Sequence, residues 1–376
     1  MRRNLFIGVM TGTSVDAIDI ACASFDGDSI SEIISEEYSF THELRNYIIS
    51  LKSVIKLKDL SQINIRYTDE IATAIDYFIK KHKIEKSRVN AIGFHGQTLW
   101  HQPEKENFLN EKISSTYQLG SATNLATKTG IDTVGDFRTA DMAVGGQGAP
   151  LIPIFDFAFL GDKETDTIVL NIGGIANITC LKANCTKNEV IAFDTGAGNC
   201  LIDLAMRKLF GKNCDFGGEI GRKGKLSQTV LESLIQEKYI NKDYPKSTGK
   251  ELFNEDMLNK HGVYLLSPND VISTLTHFTV KSIAININKI VNQKFNLIIA
   301  GGGARNKFMM ELLEHYLPTA KLMTPKLNGF DIADCREALL MAYLAYLRVE
   351  QRSGNLPSVT GATKEVVLGS LAIGQS

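Results

Sequence analysis

Leu5-Phe6-Ile7-Gly8-Val9-Met10-Thr11-Gly12-Thr13-Ser14-Val15-Asp16-Ala17-Ile18-Asp19 is the stretch on which the reading of the whole chain turns. An apolar run leads into a small, hydroxyl-rich turn, and a second apolar run follows over residues 17–25. Gly8 and Gly12 tolerate backbone angles closed to other residues, so backbone N–H groups and the Thr11, Thr13 and Ser14 hydroxyls have room to converge on an anion. Asp16 and Asp19 then stand where a metal ion or its waters would be held. The stretch lacks the Gly-Lys-Ser/Thr ending of a P-loop, and it continues into a strand rather than the helix of a dinucleotide fingerprint. Taken alone, the same residues also describe an ordinary Gly/Thr/Ser turn.

Strand-like runs at 5–10, 17–25 and 30–40 form a meander, with Asp26-Gly27-Asp28 as its second turn. Residues 42–83 are helical in period, and a strand at 89–94 ends in His95-Gly96-Gln97-Thr98. The order then recurs. Residues 167–179 hold a strand, the turn Gly173-Gly174 and a second strand; 190–199 supply a third; helical segments begin near 201 and 268; and a strand over 295–300 ends in Gly301-Gly302-Gly303. The fold class this predicts is α/β, with two ribonuclease-H-like domains and an interdomain cleft. The expected boundaries are 1–165 plus 348–376 for the first domain and 166–347 for the second. The Leu/Ala-rich helix over 334–347 is expected to pack between them.

Composition bounds the function. With 376 residues, 44% hydrophobic and 22% charged, the chain is a large globular protein. A net charge of -1 without a basic run argues against a nucleic-acid surface and for a compact ligand. No apolar run is long enough to span a membrane, and the polar Thr11 comes too early for a signal-peptide core, so the expected location is cytoplasmic. Six cysteines without C-x-x-C spacing suggest neither a zinc site nor a disulfide framework.

Seven stretches in order make the chain resemble the anhydro-N-acetylmuramic acid kinases of the actin, hexokinase and heat-shock chaperone ATPase superfamily. They are Gly12–Asp16; Gly93–Thr98; 129–138, continuing through Asp141 to Gly145-Gly146-Gln147-Gly148-Ala149-Pro150-Leu151; 170–179; 193–199; 301–306; and Asn355-Leu-Pro-Ser-Val-Thr-Gly-Ala362. Two departures are visible: Ala17 stands where the family usually has glycine, and Ser121-Ala122 where an Asn/Asp-Pro pair is expected.

The resemblance implies an ATP-dependent kinase that uses water to open 1,6-anhydro-N-acetylmuramic acid and phosphorylates O6, in peptidoglycan recycling. Asp136 matches the family's catalytic aspartate; outside the motif it would be read as a structural acid paired with Arg138 or capping a turn. For the nucleotide, the resemblance implies Gly12, Thr13, Ser14, Val15, Asp16, Ala17, Ile18 and Asp19, with Gly173 and Gly174 on the phosphates and Gly301, Gly302, Gly303 and Asn306 near adenosine. For the amino sugar it implies His95, Gln97, Arg138, Asp141, Gln147 and Glu337; Arg138 suits a carboxylate because its fork meets two oxygens. His95 is equally readable as a structural histidine, and Glu337 as a helix-terminal acid. Mg²⁺ is expected, held through water by Asp16, Asp19 or Asp194, among which the sequence does not choose. No nucleic-acid or membrane partner is expected, and there is room for a homodimer. Two other readings remain: a superfamily sugar kinase acting on a free hydroxyl, and a non-catalytic sugar-sensing regulator. No helix-turn-helix extension or basic patch supports the regulator.

Overall fold

The structure, a computed structural model, describes residues 4–12, 15–51, 54–249 and 251–375. It divides into two units, 1–159 with 327–376, and 160–326. In chain order the strands of the first unit are β1 (Leu5–Met10), β2 (Ile18–Asp26), β3 (Ser29–Tyr38), β4 (Val89–Phe94), β5 (Gln97–Phe108), β6 (Glu111–Leu119) and β7 (Thr133–Gly135). The second unit carries β8 (Thr167–Ile172), β9 (Ile175–Leu181), β10 (Ile191–Ala197), β11 (Phe295–Ala300) and β12 (Ala320–Met323). A small ribbon of β13 (Lys326–Leu327) and β14 (Phe330–Asp331) comes next, and β15 (Ser370–Ala372) is the last strand.

The first sheet runs β15-β7-β4-β1-β2-β3 and the second β10-β9-β8-β11-β12. In each, the first three strands are antiparallel neighbours and two later strands add in parallel on the other side of the first. This is the ribonuclease-H-like order, made twice. The meander forms because short turns such as Asp26-Gly27-Asp28, with Gly27 at φ 61°, link strands whose apolar residues face a common core. The parallel strands require longer crossovers, which the helical segments provide.

Three features differ from the sequence reading. The helical stretch after β3 is two helices, His42–Ser50 and Leu57–Lys81, because Leu51 and Lys56 are extended. Between β4 and β7 a separate ribbon of β5 and β6 projects from the strand end. The helix Arg336–Val349 packs on β1, β4 and β2 of the first unit rather than belonging with residues 166–347. Its seat is cut by two glycines in register on adjacent strands, Gly8 and Gly93. A Cβ at Gly8 would lie 1.8 Å from the Ala338 carbonyl oxygen, and one at Gly93 would lie 1.9 Å from that of Met341. Gly8 therefore serves helix packing and not an anion cradle. Arg336, buried, pairs at 3.5 Å with the buried Asp156 of the helix Ile152–Phe159 and anchors the start of this helix in the same unit.

Opposite that helix, Tyr67, Ile71, Ile75 and Phe78 of Leu57–Lys81 join Ile7, Ile20 and Ile92 in one apolar core. The second unit packs Leu275, Phe278 and Ile283 of the helix Pro268–Asn288 with Ile168, Leu170 and Leu297. Each such side chain contributes about 1.5–3 kcal/mol on burial.

Candidate active site

The parallel strands β1, β4 and β7 lie side by side and run the same way, so the residues just beyond them share one edge of the sheet. Those residues are Thr11-Gly12, His95-Gly96-Gln97 and Asp136-Phe137-Arg138. The carboxyl ends of parallel strands are where ligands bind in open α/β sheets, since loops diverge there.

The three strand ends are hydrogen-bonded into a chain. Thr11 Oγ1 lies 2.8 Å from the buried Tyr67 hydroxyl and donates at 3.4 Å to the Gly96 carbonyl. That carbonyl also accepts from His95 Nδ1 at 2.7 Å. Arg138 Nη2 donates to His95 Nε2 at 2.8 Å, and Nη1 donates to the Gly148 carbonyl at 2.7 Å. Because Arg138 is a donor only, His95 must carry its proton on Nδ1. Burial, reinforced by the Arg138 charge, lowers the His95 pKa to about 3. His95, only 4% exposed, is thus a neutral imidazole that orients Arg138. Burial also brings Arg138 down to about 10, opposed by Glu337. Two polar atoms of this group are buried without a partner, Arg138 Nε and Gln97 Oε1.

Asp136 comes directly after β7, with its side chain exposed and its backbone left-handed at φ 58°. Asp adopts that conformation more readily than most residues, and unusual backbone geometry is common at active sites. Thr139 holds the carboxylate: its Oγ1 donates to Oδ2 at 2.5 Å and its N–H to Oδ1 at 3.4 Å. Sequence reasoning misses Thr139; only its three-residue spacing from an Asp hints at it.

The other expected sugar-side residues separate. Gln147 is exposed, with its backbone N–H on the Thr360 carbonyl. Glu337 is exposed in the first turn of Arg336–Val349 and acts electrostatically on both Arg138 and Asp19. Asp141 departs from the expectation. It is 0% exposed, and its carboxylate already accepts from Gly148 N at 2.8 Å and from Asn355 Nδ2 and Thr360 Oγ1 at 2.7 Å each. A carboxylate so enclosed organises a loop instead of meeting a ligand.

In the β1–β2 turn, Thr13 and Ser14 lie outside the described residues. Gly12 and Ala17 are half-buried, whereas Val15 and Ile18 are core residues, so only their backbone is available to a phosphate. Thr11 likewise turns its hydroxyl inward and not to an anion. Asp16 pairs with Arg45 at 2.7 Å. Asp19 sits on β2, and burial together with Glu37, Glu337 and Asp334 raises its pKa to about 7. A cation beside Asp19 would relieve that acidic crowding, which suits Mg²⁺ held through water. No compact cluster of His, Cys, Asp or Glu that would hold a metal directly occurs among the described residues.

In the second unit, Gly173-Gly174 links β8 to β9. The Gly173 carbonyl accepts from Asn199 N, the Gly174 carbonyl from Gly198 N and Cys200 N, and the Gly173 N–H is engaged by Ile175 O. Asp194, on β10, accepts from Thr248 N at 2.9 Å and is raised by burial to about 6. Of the three glycines after β11, Gly301 and Gly303 press on Ile172, while a Cβ at Gly302 would meet nothing within 4 Å. Gly302 is therefore the one with open space beside it. Asn306 caps the helix Lys307–Tyr316 by accepting from Met309 N at 3.0 Å, which commits its carbonyl oxygen.

Comparison with known proteins gives the frame for these sites. A family model described as anhydro-N-acetylmuramic acid kinase matches residues 4–374. A protein of that name from Pasteurella multocida is 40% identical over 97% of this chain and 96% of its own length. Counterparts from Saccharophagus degradans, 37% identical over 99% of both chains, and Haemophilus influenzae, 38% identical over 99% of this chain and 98% of its own, carry the same name. Matched end to end at this identity, the chain belongs to the anhydro-N-acetylmuramic acid kinase family.

Proposed function

We propose that this protein uses ATP and water to open the 1,6-anhydro bridge of 1,6-anhydro-N-acetylmuramic acid and phosphorylates O6, yielding N-acetylmuramic acid 6-phosphate and ADP in peptidoglycan recycling. Family membership supplies the kinase activity; the observation that carries the mechanism is the exposed Asp136 carboxylate at the strand-end edge that also carries the His95–Arg138 pair. O6 is tied to the anomeric carbon in the anhydro sugar, so it becomes a nucleophile only as that bond breaks. Asp136 takes the proton of a water that attacks C1. The C1–O6 bond breaks, O6 bonds to the γ-phosphorus, and the bond from that phosphorus to the ADP oxygen breaks.

Arg138, held on two sides and left with an unpartnered Nε, receives the lactyl carboxylate, while Gln97 and Gln147 serve hydroxyl and acetamido groups. The Gly12–Asp19 turn and the Gly174 amide serve the phosphates, Gly173 shaping the turn with its own N–H on the Ile175 carbonyl, and Gly302 leaves space for adenosine. Asp19 is the favoured holder of Mg²⁺ through water, the ion neutralising phosphate charge when bound. Dependence on ATP points to a cytoplasmic reaction, and no helix among the described residues is long and apolar enough to cross a membrane.

The test is turnover of the anhydro sugar in ¹⁸O-water, with anomeric proton signals read in the first turnovers. Direct attack opposite O6 delivers the α anomer with label at C1. An initial β excess would require a second carboxylate, and label in phosphate with none in the sugar would put the water on phosphorus; either result overturns the role given to Asp136. Turnover only of sugars with a free 6-hydroxyl would establish an ordinary sugar kinase.

A further inference from the structure

The stretch Asn355–Ala362 holds none of the residues given a role in the proposed reaction, yet it grips the loop that contains Asp141 and Gly148. Asn355 Nδ2 and Thr360 Oγ1 both donate to Asp141 Oδ1, and Gly148 N donates to Oδ2 of the same carboxylate. Asn355 Oδ1 accepts from Val366 N, the Thr360 carbonyl accepts from Gln147 N, and Thr363 N donates to the Val144 carbonyl, so the loop and the tail are joined along their length. The fit excludes side chains: a Cβ at Gly146 would stand 2.1 Å from Asp141 Oδ2, and one at Gly148 would stand 2.9 Å from Met142 Cγ. Gly148 is the connector. Its N–H is fixed by Asp141, and its carbonyl holds Arg138 Nη1, whose companion Nη2 reaches His95.

We propose that Asn355 and Thr360 are positioning residues for Arg138, aiming its guanidinium through Asp141 and Gly148 at the carboxylate arm of the sugar. This rests on the reading of Arg138 as the carboxylate partner. A buried carboxylate with three donors has one arrangement that satisfies them all, and removing one donor leaves an oxygen under-satisfied and the loop free to shift. A displacement passed to Gly148 reaches a side chain that must meet two oxygens at once, where small misplacements are heavily penalised.

The experiment pairs steady-state kinetics with ¹⁵N NMR of the histidine side chains, on the full chain. Thr360→Val is expected to raise KM for 1,6-anhydro-N-acetylmuramic acid about tenfold, with kcat and KM for ATP changed by less than about twofold. Thr360→Ser should restore the native value, and the His95 Nε2 resonance should move in Thr360→Val because its donor, Arg138, has moved. In an Arg138→Ala background Thr360→Val should add nothing. Thr360→Cys gives a second hydroxyl-free variant of similar volume if the valine form does not fold. An unmoved His95 resonance, or the same KM factor in the Arg138→Ala background, overturns the positioning role. If Arg138→Ala binds the sugar as tightly as the native protein while the resonance still moves in Thr360→Val, the carboxylate reading fails and the positioning of Arg138 stands.

Discussion

The two units share a strand order and use it differently. In the first, glycine lies inside the strands: Gly8 and Gly93 face each other across β1 and β4 and admit the helix Arg336–Val349 at backbone distance. In the second, the corresponding strands β8 and β11 carry no glycine and pair Val169 with Ile298 and Leu170 with Ile299; their glycines lie in the turns beyond, at Gly173-Gly174 and Gly301–Gly303, while Gly196 lies on β10. The strand ends diverge accordingly. The first unit presents side chains with chemistry, Asp136, His95 and Arg138; the second presents mainly backbone. A repeated topology thus carries different residue chemistry at its two sets of strand ends, because the loop after a parallel strand is free to vary while the strand is not.

The comparison breaks most sharply at Asp136. Asp136→Asn keeps the size, and Asn tolerates the left-handed backbone, so the fold should persist while kcat falls by about 10² to 10⁴. Nucleotide affinity, read by calorimetry, should barely change; loss of ATP binding in a folded variant would move Asp136 to the nucleotide side. Next in size is the packing contrast. Gly8→Val forces apart a strand and a helix whose backbones touch, and should destabilise the protein by about 1–3 kcal/mol or more in urea unfolding. A native-like midpoint would mean that the helix does not press on β1 at this glycine.

A pH experiment sharpens the electrostatic side. Asp19 has a folded pKa of about 7 against an ordinary 3.8, so between those values the folded state binds a proton that the unfolded state has lost. Stability therefore falls as pH rises from about 4 to 7 on account of this group, and Asp19→Asn should flatten that decline. Asp194, raised to about 6, should give a narrower window in the second unit. Equal slopes in native and Asp19→Asn proteins would remove the acidic crowding from consideration. The smallest effect is expected at Gly302→Ala, where the new methyl meets open space: stability should stay within about 0.5 kcal/mol of native. KM for ATP should rise, and an unchanged KM would exclude Gly302 from the nucleotide site.

Legibility differed between fold and site. The duplicated order of strands is readable because apolar runs of strand length, bounded by Gly-rich turns, leave few other arrangements. Asp136 stands out through its motif, and its place after a short strand agrees with the structure. Asp141, in the continuation of the same motif, reads in sequence as a sugar ligand, and only its enclosure by Asn355 and Thr360 shows that it holds a loop together. Those partners stand 214 and 219 residues away in sequence, beyond the reach of any local pattern. Thr11 misleads for a similar reason: a hydroxyl in a Gly/Thr/Ser turn invites an anion, but Tyr67 of a distant helix takes it.

The duplicated order of the sheet strands, the family, and the residue types at the strand ends are contained in the sequence, since these depend on periodicity, propensity and local spacing; the β5–β6 ribbon and the break between the helices His42–Ser50 and Leu57–Lys81 are not. The duty of each glycine and each acid was decided by tertiary structure alone. Gly8 and Gly302 are identical as residues; one is pressed against a helix backbone and the other faces open space. The tertiary fold also gave the helix Arg336–Val349 to the first unit, because the groove that receives it exists only once β1 and β4 are paired and two glycines far apart in sequence come to lie side by side.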